Sequence, residues 1–491
     1  MKYKLPGLIM VVVVLFVSAS AFAMGEKSTD RIHQHLEAEE KTPCASDTSD
    51  FCTHLPLVVI DTGGKEIPGA PIEPVAAAQL AEKEESDLFT KTEEGEEMLA
   101  AHIRVVDQAE CYNHPGDAAA LDSSMYIRIR GNSSREFDKK SYLIRLSDAD
   151  GSYKNQAVMG MDAHYEWVLY GPYLDKTLIR NYMWYNIAGE IMDYAPNVRF
   201  CEVILNGEYR GLYVMAETLT SGENCRLNLT EPIEELNKTG YLLRLDRGSN
   251  DPVKDIETFT NYALRNKQAM DIKYPRGGKL TESLAAAITQ DFSDFEKCLY
   301  SYDYDTDDYG YWHTLDPDSF AEYFIINEFT SNYDAGWLST YVYKDLGDRF
   351  KMVIWDFNSA CDNYQDPIDP EHFELQNNVW YFMLMKDEYF TNKIITRYAE
   401  LRKTFLSEAY LDTYIDEVIE YLGPAVERNF SVWEYTFGQD MLQPAARNPR
   451  SHAQAVEQLK TYIHERGEWL DDNIEILKQY SHESKVKKFN H

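Results

Sequence analysis

The chain has 491 residues, with 82 acidic and 48 basic side chains and a formal net charge of −34 at pH 7. Such acidity argues against nucleic acid or an anionic membrane surface as a partner, because both would repel the protein. The seven cysteines show no metal-binding spacing, so the sequence predicts no zinc site. Cys44 and Cys52 are the nearest pair that could form a disulfide.

The chain begins with the pattern of a secretory signal peptide, predicted over residues 1–23. Lys2 and Lys4 precede an apolar run at 8–17, and small residues frame a cleavage site after Ala23. Cleavage would change the net charge from −34 to −36, because it removes two lysines and no acids. We therefore expect a secreted or cell-surface protein without a membrane span after cleavage. A retained N-terminal anchor is the alternative.

Three further segments follow the predicted signal peptide. Residues 24–54 are polar and charged and predict a linker. Residues 55–480 predict one large folded domain, and residues 481–491 predict a basic polar tail.

In the first half of the domain, alternating apolar residues predict mainly strands. Two helices interrupt them, a surface helix within 75–102 and a second helix at 176–194. Asn206-Gly207 is a typical two-residue hairpin turn. The predicted strands lie at 55–61, 102–106, 125–131, 139–146, on both sides of the Asn206-Gly207 turn within 198–217, and at 240–246.

The second half predicts mainly helices. Apolar residues recur at helical spacing over 284–299, and Asp316-Pro317 is a helix-start pattern. The strand pair STYVYKD and RFKMVIWD follows, and residues 378–477 then predict helices. The chain is therefore expected to have an α+β fold with two lobes, a strand-rich N-terminal half and a helix-rich C-terminal half.

Three segments could carry chemistry. The first is RGNSS at 130–134, where Asn132 and Ser133 lie between predicted strands. Backbone N–H groups in such a loop can cradle an anion, and Lys139-Lys140 opens the next strand. The alternative is an ordinary hairpin turn followed by two solvated lysines.

The other two segments carry carboxylates. NEFTSNYDAG at 327–336 takes Asn332 and Asp334 out of a helix into a turn. Asp356 lies at a predicted strand end between two aromatic residues, where a carboxylate is costly unless a positive group meets it. A lysine, a loop aspartate and a strand-end aspartate are the equipment of phosphoryl transfer. The alternatives are an ordinary turn residue at Asp334, and a helix N-terminus or an arginine satisfying Asp356.

At these residues the chain resembles the CotH kinase family, the spore coat protein H group of atypical protein kinases. The resemblance covers roughly residues 55–477 and rests on several motifs in the expected order. They are LPLVVIDTGG, RGNSSREFDKKSYLIRL, EWVLYGPYLDKTLIRN, VILNGEYRGLYVMAE, GYLLRLD, NEFTSNYDAGWLSTYVYKD, IWDFN and ERGEWLDDNI.

The resemblance implies a fold distantly like that of protein kinases. It also implies binding of ATP with Mg²⁺ or Mn²⁺ and phosphorylation of Ser or Thr on partner proteins. For the nucleotide, it implies Lys140 as the phosphate-contacting lysine, with Arg130, Asn132 and Ser133 in the adjacent loop.

For the reacting groups, the resemblance implies Asp334 as the catalytic aspartate and Asp356 as the metal-binding aspartate. Asn332 and Asn358 are the further candidate metal ligands. The family often has WDFD, whereas Asn358 replaces the second Asp here, and the NYDAG turn is one residue longer than the commoner NVDG.

The sequence is therefore compatible with three functions. The leading one is a secreted protein kinase acting on a protein substrate, with a basic, Ser-rich partner matching the acidic chain. The second is a non-catalytic surface adhesion or coat-assembly module. The third is carbohydrate binding, suggested by 35 Tyr and 8 Trp, although dispersed aromatic residues are more often core residues.

Overall fold

The computed structural model describes residues 31–44, 51–72, 88–222, 227–249, 251–259, 269–378 and 380–485. The predicted signal peptide lies outside the described residues, as do residues 75–87 of the helix predicted within 75–102, and the described remainder, 88–102, contains no helix. Where that helix was expected to end, at 99–102, the chain is instead part of a strand.

The described residues contain fourteen strands. Their bounds are β1 Leu57–Asp61, β2 Leu99–Val106, β3 Leu121–Arg130, β4 Ser141–Ser147, β5 Gln156–Val158, β6 Met161–His164, β7 Glu166–Tyr170, β8 Val198–Leu205, β9 Glu208–Glu217, β10 Tyr241–Asp246, β11 Asp255–Ile256, β12 Ala269–Tyr274, β13 Thr340–Lys344 and β14 Lys351–Val353.

Seven of these strands close into a barrel in the order β1-β2-β3-β4-β7-β9-β8. The closing pair, β1 with β8, is parallel, whereas the other neighbours in the barrel are antiparallel. Side chains alternate between the two faces of a strand, so Cys201 and Val203 of β8 fill the barrel while Phe200 packs outside it. The β8–β9 hairpin turns at Asn206 and Gly207, both with positive φ, which confirms the predicted turn.

A second sheet, in the order β11-β12-β10-β13-β14, is antiparallel throughout. Its central pair joins the GYLLRLD segment to the STYVYKD segment, with Leu245 opposite Thr340. The end of β10, at Asp246, therefore lies beside the start of β13. The strand before Asp356 is shorter than predicted, because β14 ends at Val353.

Eight α-helices occur in the part of the chain that the structure describes. Their bounds are α1 Arg180–Ile191, α2 Glu282–Tyr300, α3 Pro317–Phe329, α4 Tyr381–Leu384, α5 Glu388–Leu401, α6 Glu408–Leu422, α7 Pro424–Trp433 and α8 His452–Asn473. Asp316 caps α3 as predicted, since its carboxylate accepts from the N–H groups of Asp318 and Ser319. Helices α1 and α3 are buried on almost every side and form the centre of the main core.

The predicted mixed architecture is confirmed, with strands dominating the first half and helices the second. Part of the predicted linker is nonetheless packed. His33 is buried and its imidazole contacts the side chains of Tyr414 and Glu190. Across the described ranges, no helix combines the length and apolar character that a membrane crossing requires.

Candidate active site

The loop that carries Asp334 is held by a buried ion pair. Glu328, near the end of α3, accepts at 2.8 Å from the Arg466 guanidinium of α8. Its carboxylate also accepts from the backbone N–H groups of Glu374 and Leu375. The chain leaves α3 through Ser331, which has a positive φ of 42°, so the following residues turn away from the helix axis.

The loop that carries Asp356 is anchored to α1. Asp356 has a positive φ of 61°, and its N–H donates to the Tyr185 hydroxyl at 2.9 Å. The next N–H, of Phe357, donates to Asn181 Oδ1 at 2.8 Å. A positive φ in a non-glycine residue is strained and persists only where surrounding contacts fix it. The contacts with Tyr185 and Asn181 are of that kind.

The DKTLIRN segment, residues 175–181, holds the loop that carries Asp356 at the loop's C-terminal end. The Arg180 guanidinium donates to the carbonyls of Ala360 and Cys361, at 3.0 and 3.2 Å. It also pairs with Asp175 at 2.5 Å. This arginine therefore fixes the chain that follows Asp356 without facing the aspartate itself.

The positive charge that acts on Asp356 is that of Arg130, at the end of β3. Both residues line one small cavity, and the Arg130 guanidinium lies over the Trp355 ring, 5.8 Å from its centroid. Burial raises the pKa of Asp356, the charge of Asp246 raises it further, and the charge of Arg130 opposes the rise. Arg130 therefore acts on Asp356 through its charge, without an ion pair within 4 Å.

Asp334 lies near two other negatively charged carboxylates, those of Asp356 and Asp246. Burial raises its pKa to about 7, the charges of Asp356 and Asp246 contribute, and Arg247 acts in the opposite direction. Its main-chain carbonyl accepts from the N–H groups of Trp337 and Leu338. Asp334 is therefore close to half protonated at neutral pH, the range in which a general base works best.

Asp246, at the end of β10, is the functional candidate that sequence analysis missed. Its carboxylate influences the pKa of both Asp334 and Asp356, so the fold brings three acidic residues into one region. It pairs with Arg247 at 3.5 Å and with Arg244 at 3.7 Å. The available signal was the GYLLRLD segment, a buried strand ending in Asp, which is the same pattern that singled out Asp356.

Asn332 links the two aspartate loops. Its amide nitrogen donates to Asn327 Oδ1 at 3.0 Å and to the main-chain carbonyl of Asp356 at 3.1 Å. Its buried Oδ1 has no hydrogen-bond partner among the described residues. A buried unpaired amide oxygen suits a hard cation such as Mg²⁺, which takes oxygen ligands.

Asn358, the other candidate metal ligand, is already engaged. Its Oδ1 accepts from Asn181 Nδ2 at 3.2 Å, and its N–H donates to Asp356 Oδ1 at the same distance. In the described structure, the carboxylates of Asp246, Asp334 and Asp356 do not all lie within 4.8 Å of one another. Asn332, whose Oδ1 has no hydrogen-bond partner among the described residues, is the remaining candidate to bind an ion together with Asp356.

The two adjacent lysines lie in different environments. The Lys139 ammonium is buried and donates to the Leu212 carbonyl at 2.7 Å and to Asn429 Oδ1 at 2.6 Å. The half-buried Lys140 ammonium donates to the Arg135 carbonyl at 2.7 Å. Burial lowers the pKa of Lys140, and the acidic neighbours that oppose this are Asp138 and Glu136, not the aspartates of the site.

The RGNSS loop is compact. Ser133–Glu136 forms a short 3₁₀ turn, and Gly131 has a φ of 112° with the Ser134 hydroxyl packed against its Cα. Asn132 precedes the turn without a capping side-chain bond, and Ser133 is exposed. Of the predicted nucleotide-binding residues, Arg130 is thus the one that lines the cavity with Asp356, and the roles of the others stay predictions.

The CotH kinase protein family matches residues 127–470, which span Arg130, Asp246, Asp334 and Asp356. No curated protein matches the chain. The match covers more than half of the sequence and indicates a kinase-like or spore-coat function at the family level. The chain belongs to the CotH kinase family.

Proposed function

We propose that this protein is an extracytoplasmic atypical protein kinase that transfers the γ-phosphate of ATP to Ser or Thr hydroxyls of partner proteins. Mg²⁺ or Mn²⁺ is the proposed metal cofactor. Family membership supports the kinase class, and the predicted signal peptide supports the location.

The observation that carries the proposal is the carboxylate of Asp334, whose pKa is raised to about 7 beside Asp356. A substrate hydroxyl needs an acceptor that is basic enough to take its proton yet largely deprotonated at working pH. Asp334 meets the first condition, because desolvation and the neighbouring acidic groups raise its affinity for a proton, and with a pKa of about 7 it is deprotonated in about half of the molecules at neutral pH. We assign it the role of orienting the acceptor hydroxyl and receiving its proton.

Three residues other than Asp334 are proposed to bind the metal ion and the ATP phosphates. Asp356 and the Oδ1 of Asn332 are the proposed cation ligands, and a cation held there would neutralise charge on the ATP phosphates. Arg130 supplies a guanidinium at the same cavity, suited to a phosphate oxygen. In kinases, positioning and charge stabilisation of this kind supply most of the rate.

The protein substrate is proposed to be basic and Ser-rich. The chain carries a net charge of −34, so a cationic partner would be attracted to it at long range. This attraction should weaken as ionic strength rises, because salt screens exposed charges.

The size of the cavity favours a second candidate function, a non-catalytic adhesion or coat-assembly module. The cavity beside Asp356 holds about 20 Å³. Ligand pockets usually have about 300–1,000 Å³, so ATP requires the surrounding segments to separate. A protein that never opens this cavity would keep the fold for assembly alone.

One experiment separates the two functions. The purified chain is incubated with radiolabelled ATP, a Ser-containing basic protein and Mg²⁺ or Mn²⁺, and ATP affinity is measured by calorimetry. The wild type should bind ATP and transfer phosphate. Asp334→Asn should keep ATP affinity and lose transfer by about 10²–10⁴-fold, the usual contribution of general base catalysis.

Two outcomes count against the kinase. Transfer by Asp334→Asn at the wild-type rate would remove Asp334 as the base. Absence of both ATP binding and transfer with either cation would favour the assembly module instead.

A further inference from the structure

A second group of reactive side chains lies outside the candidate active site. We call it the Cys–His cluster, and it consists of Cys44, Cys52 and His114. The two sulfur atoms and one imidazole nitrogen all lie within 4.8 Å of one another. In the structure the two cysteines are joined as a disulfide. The cluster involves none of the residues assigned to phosphoryl transfer.

Main-chain hydrogen bonds hold the segments that carry the cluster. On one side, the Thr42 N–H donates to the Glu110 carbonyl and the Tyr112 N–H donates to the Thr42 carbonyl, at 2.8 and 3.0 Å. On the other side, Thr53 and Asn113 exchange two hydrogen bonds, of 3.1 and 2.7 Å. The segment leading to His114 is therefore tied to the chain next to each cysteine. These contacts do not require the disulfide, so the three side chains should stay together when it is reduced.

The imidazole of His114 is oriented by Asp117. Asp117 Oδ2 accepts from the main-chain N–H of His114 at 2.8 Å and lies 3.2 Å from the ring Nδ1. This carboxylate–imidazole contact fixes the ring and leaves Nε2 for another partner. Histidines that bind zinc almost always donate their second ring nitrogen in this manner.

A third sulfur is nearby. Cys111 is a free, exposed cysteine, and it lines a cavity of about 380 Å³ together with Cys44 and His114. Tetrahedral zinc with Zn–S distances of about 2.3 Å and Zn–N distances of about 2.0–2.1 Å commonly takes three cysteines and one histidine. The cavity leaves room for Cys111 to move toward the other two sulfurs.

We propose that reduction of the Cys44–Cys52 disulfide converts the Cys–His cluster into a zinc site, with Cys111 as the fourth ligand. A dithiol reductant supplies two electrons and two protons, so the S–S bond breaks to give two thiols while the reductant becomes a disulfide. Zn²⁺ then displaces one proton from each of the three cysteine thiols and binds the neutral imidazole. The cluster thus has two exclusive states, a disulfide or a metal complex.

The test uses the full chain and Co²⁺ as a spectroscopic substitute for Zn²⁺. The protein is prepared oxidised, or reduced and freed of reductant under anaerobic conditions, and then titrated with Co²⁺ and back-titrated with Zn²⁺. The reduced protein should bind one Co²⁺ with thiolate-to-metal charge-transfer bands and tetrahedral d–d bands. The oxidised protein should show neither, and Zn²⁺ should abolish the bands.

Variants identify the ligands. His114→Ala and Cys111→Ser should each weaken binding and alter the bands, whereas Cys298→Ser, a free cysteine of α2, should change nothing. Asp117→Asn keeps every ligand and should lower the affinity by about 10–100-fold, as is usual for a residue that orients a zinc-bound histidine. Circular dichroism verifies that each variant is folded.

Two results would overturn the proposal. One is a folded, reduced wild type that gives no tetrahedral Co²⁺ spectrum. The other is binding that persists unchanged in both His114→Ala and Asp117→Asn, which would show adventitious binding to thiols. Neither result bears on ATP binding or phosphate transfer, so the kinase proposal is tested separately.

Discussion

The side chain of Asn332 donates a 3.1 Å hydrogen bond to the main-chain carbonyl of Asp356, so one amide joins the two loops that carry the candidate aspartates. The same amide group donates to Asn327, and its oxygen remains buried without a hydrogen-bond partner among the described residues. The two loops are therefore held in fixed relation, while an oxygen atom is left to bind an additional group.

Replacement of Asn332 should affect both folding and ion binding. Asn332→Ala removes the donor to the buried Asn327 Oδ1 and to the partly buried Asp356 carbonyl, and a buried acceptor left unpaired costs roughly 1–3 kcal/mol. It also removes a proposed cation ligand, so Mg²⁺-dependent ATP affinity should fall. Urea unfolding and calorimetry measure the two effects. Asp356→Ala is the comparison, since it should abolish metal-dependent nucleotide binding in a folded protein; unchanged Mg·ATP affinity there would remove Asp356 from the metal site.

Asp334 should make stability depend on pH. Because its pKa is raised from 3.8 to about 7, the native state binds more protons than the unfolded state between those values. This group's contribution to stability is therefore full below its unfolded pKa and is lost as the pH rises through about 7. Without divalent cations, Asp334→Asn should be more stable than the wild type at pH 8, with a smaller gain at pH 5. An equal free energy of unfolding at pH 8 would contradict the raised pKa.

Asp246 should control the pKa of Asp334, the proposed general base. Its negative charge raises the pKa of Asp334, so Asp246→Asn should lower that pKa and move the acidic limb of the kcat/KM profile to lower pH. Asp271→Asn is the matched control, because Asp271 is a buried neighbour that pairs with the same Arg244. A limb that shifts equally in both variants would mean that Asp246 has no specific influence.

Substitutions of Lys139 and Lys140 should have different effects, the first mainly on stability and the second mainly on nucleotide binding. Lys139→Met removes a buried donor from the Leu212 carbonyl and from Asn429 Oδ1, which keeps the Leu212 N–H as a donor, and a buried acceptor left unsatisfied costs roughly 1–3 kcal/mol. Lys140→Met should cost less stability, because its ammonium is half exposed. If Lys140 contacts the phosphates as the family resemblance implies, its variant should lose more ATP affinity than folded Lys139→Met. Equal, small losses would exclude both lysines from the phosphate site.

The buried ion pair of Glu328 and Arg466 should support the Asp334 loop. Arg466→Met leaves the Glu328 charge buried and unpaired, which typically costs about 3–5 kcal/mol. Thermal and urea unfolding measure the loss. The double variant Glu328→Gln with Arg466→Met should recover part of the stability, because it removes the uncompensated charge. A single variant as stable as the wild type would show that the pair does not hold the loop.

Local patterns in the sequence determined much of the secondary structure. The hairpin at Asn206-Gly207, the start of α3 at Asp316 and the strand-to-helix change along the chain all depend on neighbouring residues, so they were predictable. The motifs also identified the family and the loops of Asp334 and Asp356. The helix predicted within 75–102 was wrong over its described part, 88–102, where no helix forms and pairing with β3 makes Leu99–Val106 a strand.

The tertiary structure alone determined which charged side chains lie near Asp356 and Asp334. Arg130 lies 226 residues before Asp356, and the partner expected for the phosphate site, Lys140, points to the Arg135 carbonyl instead. Asp246 gained its importance from the pairing of β10 with β13, which no local pattern encodes.

The surroundings of the cysteines were likewise not predictable from the sequence. Their spacing gave no sign of His114, which strand-like pairing of distant segments brings to Cys44 and Cys52. Sequence spacing reports only groups that lie close along one segment, whereas desolvation, charge pairing and ligand geometry depend on distances that exist only after the chain has folded.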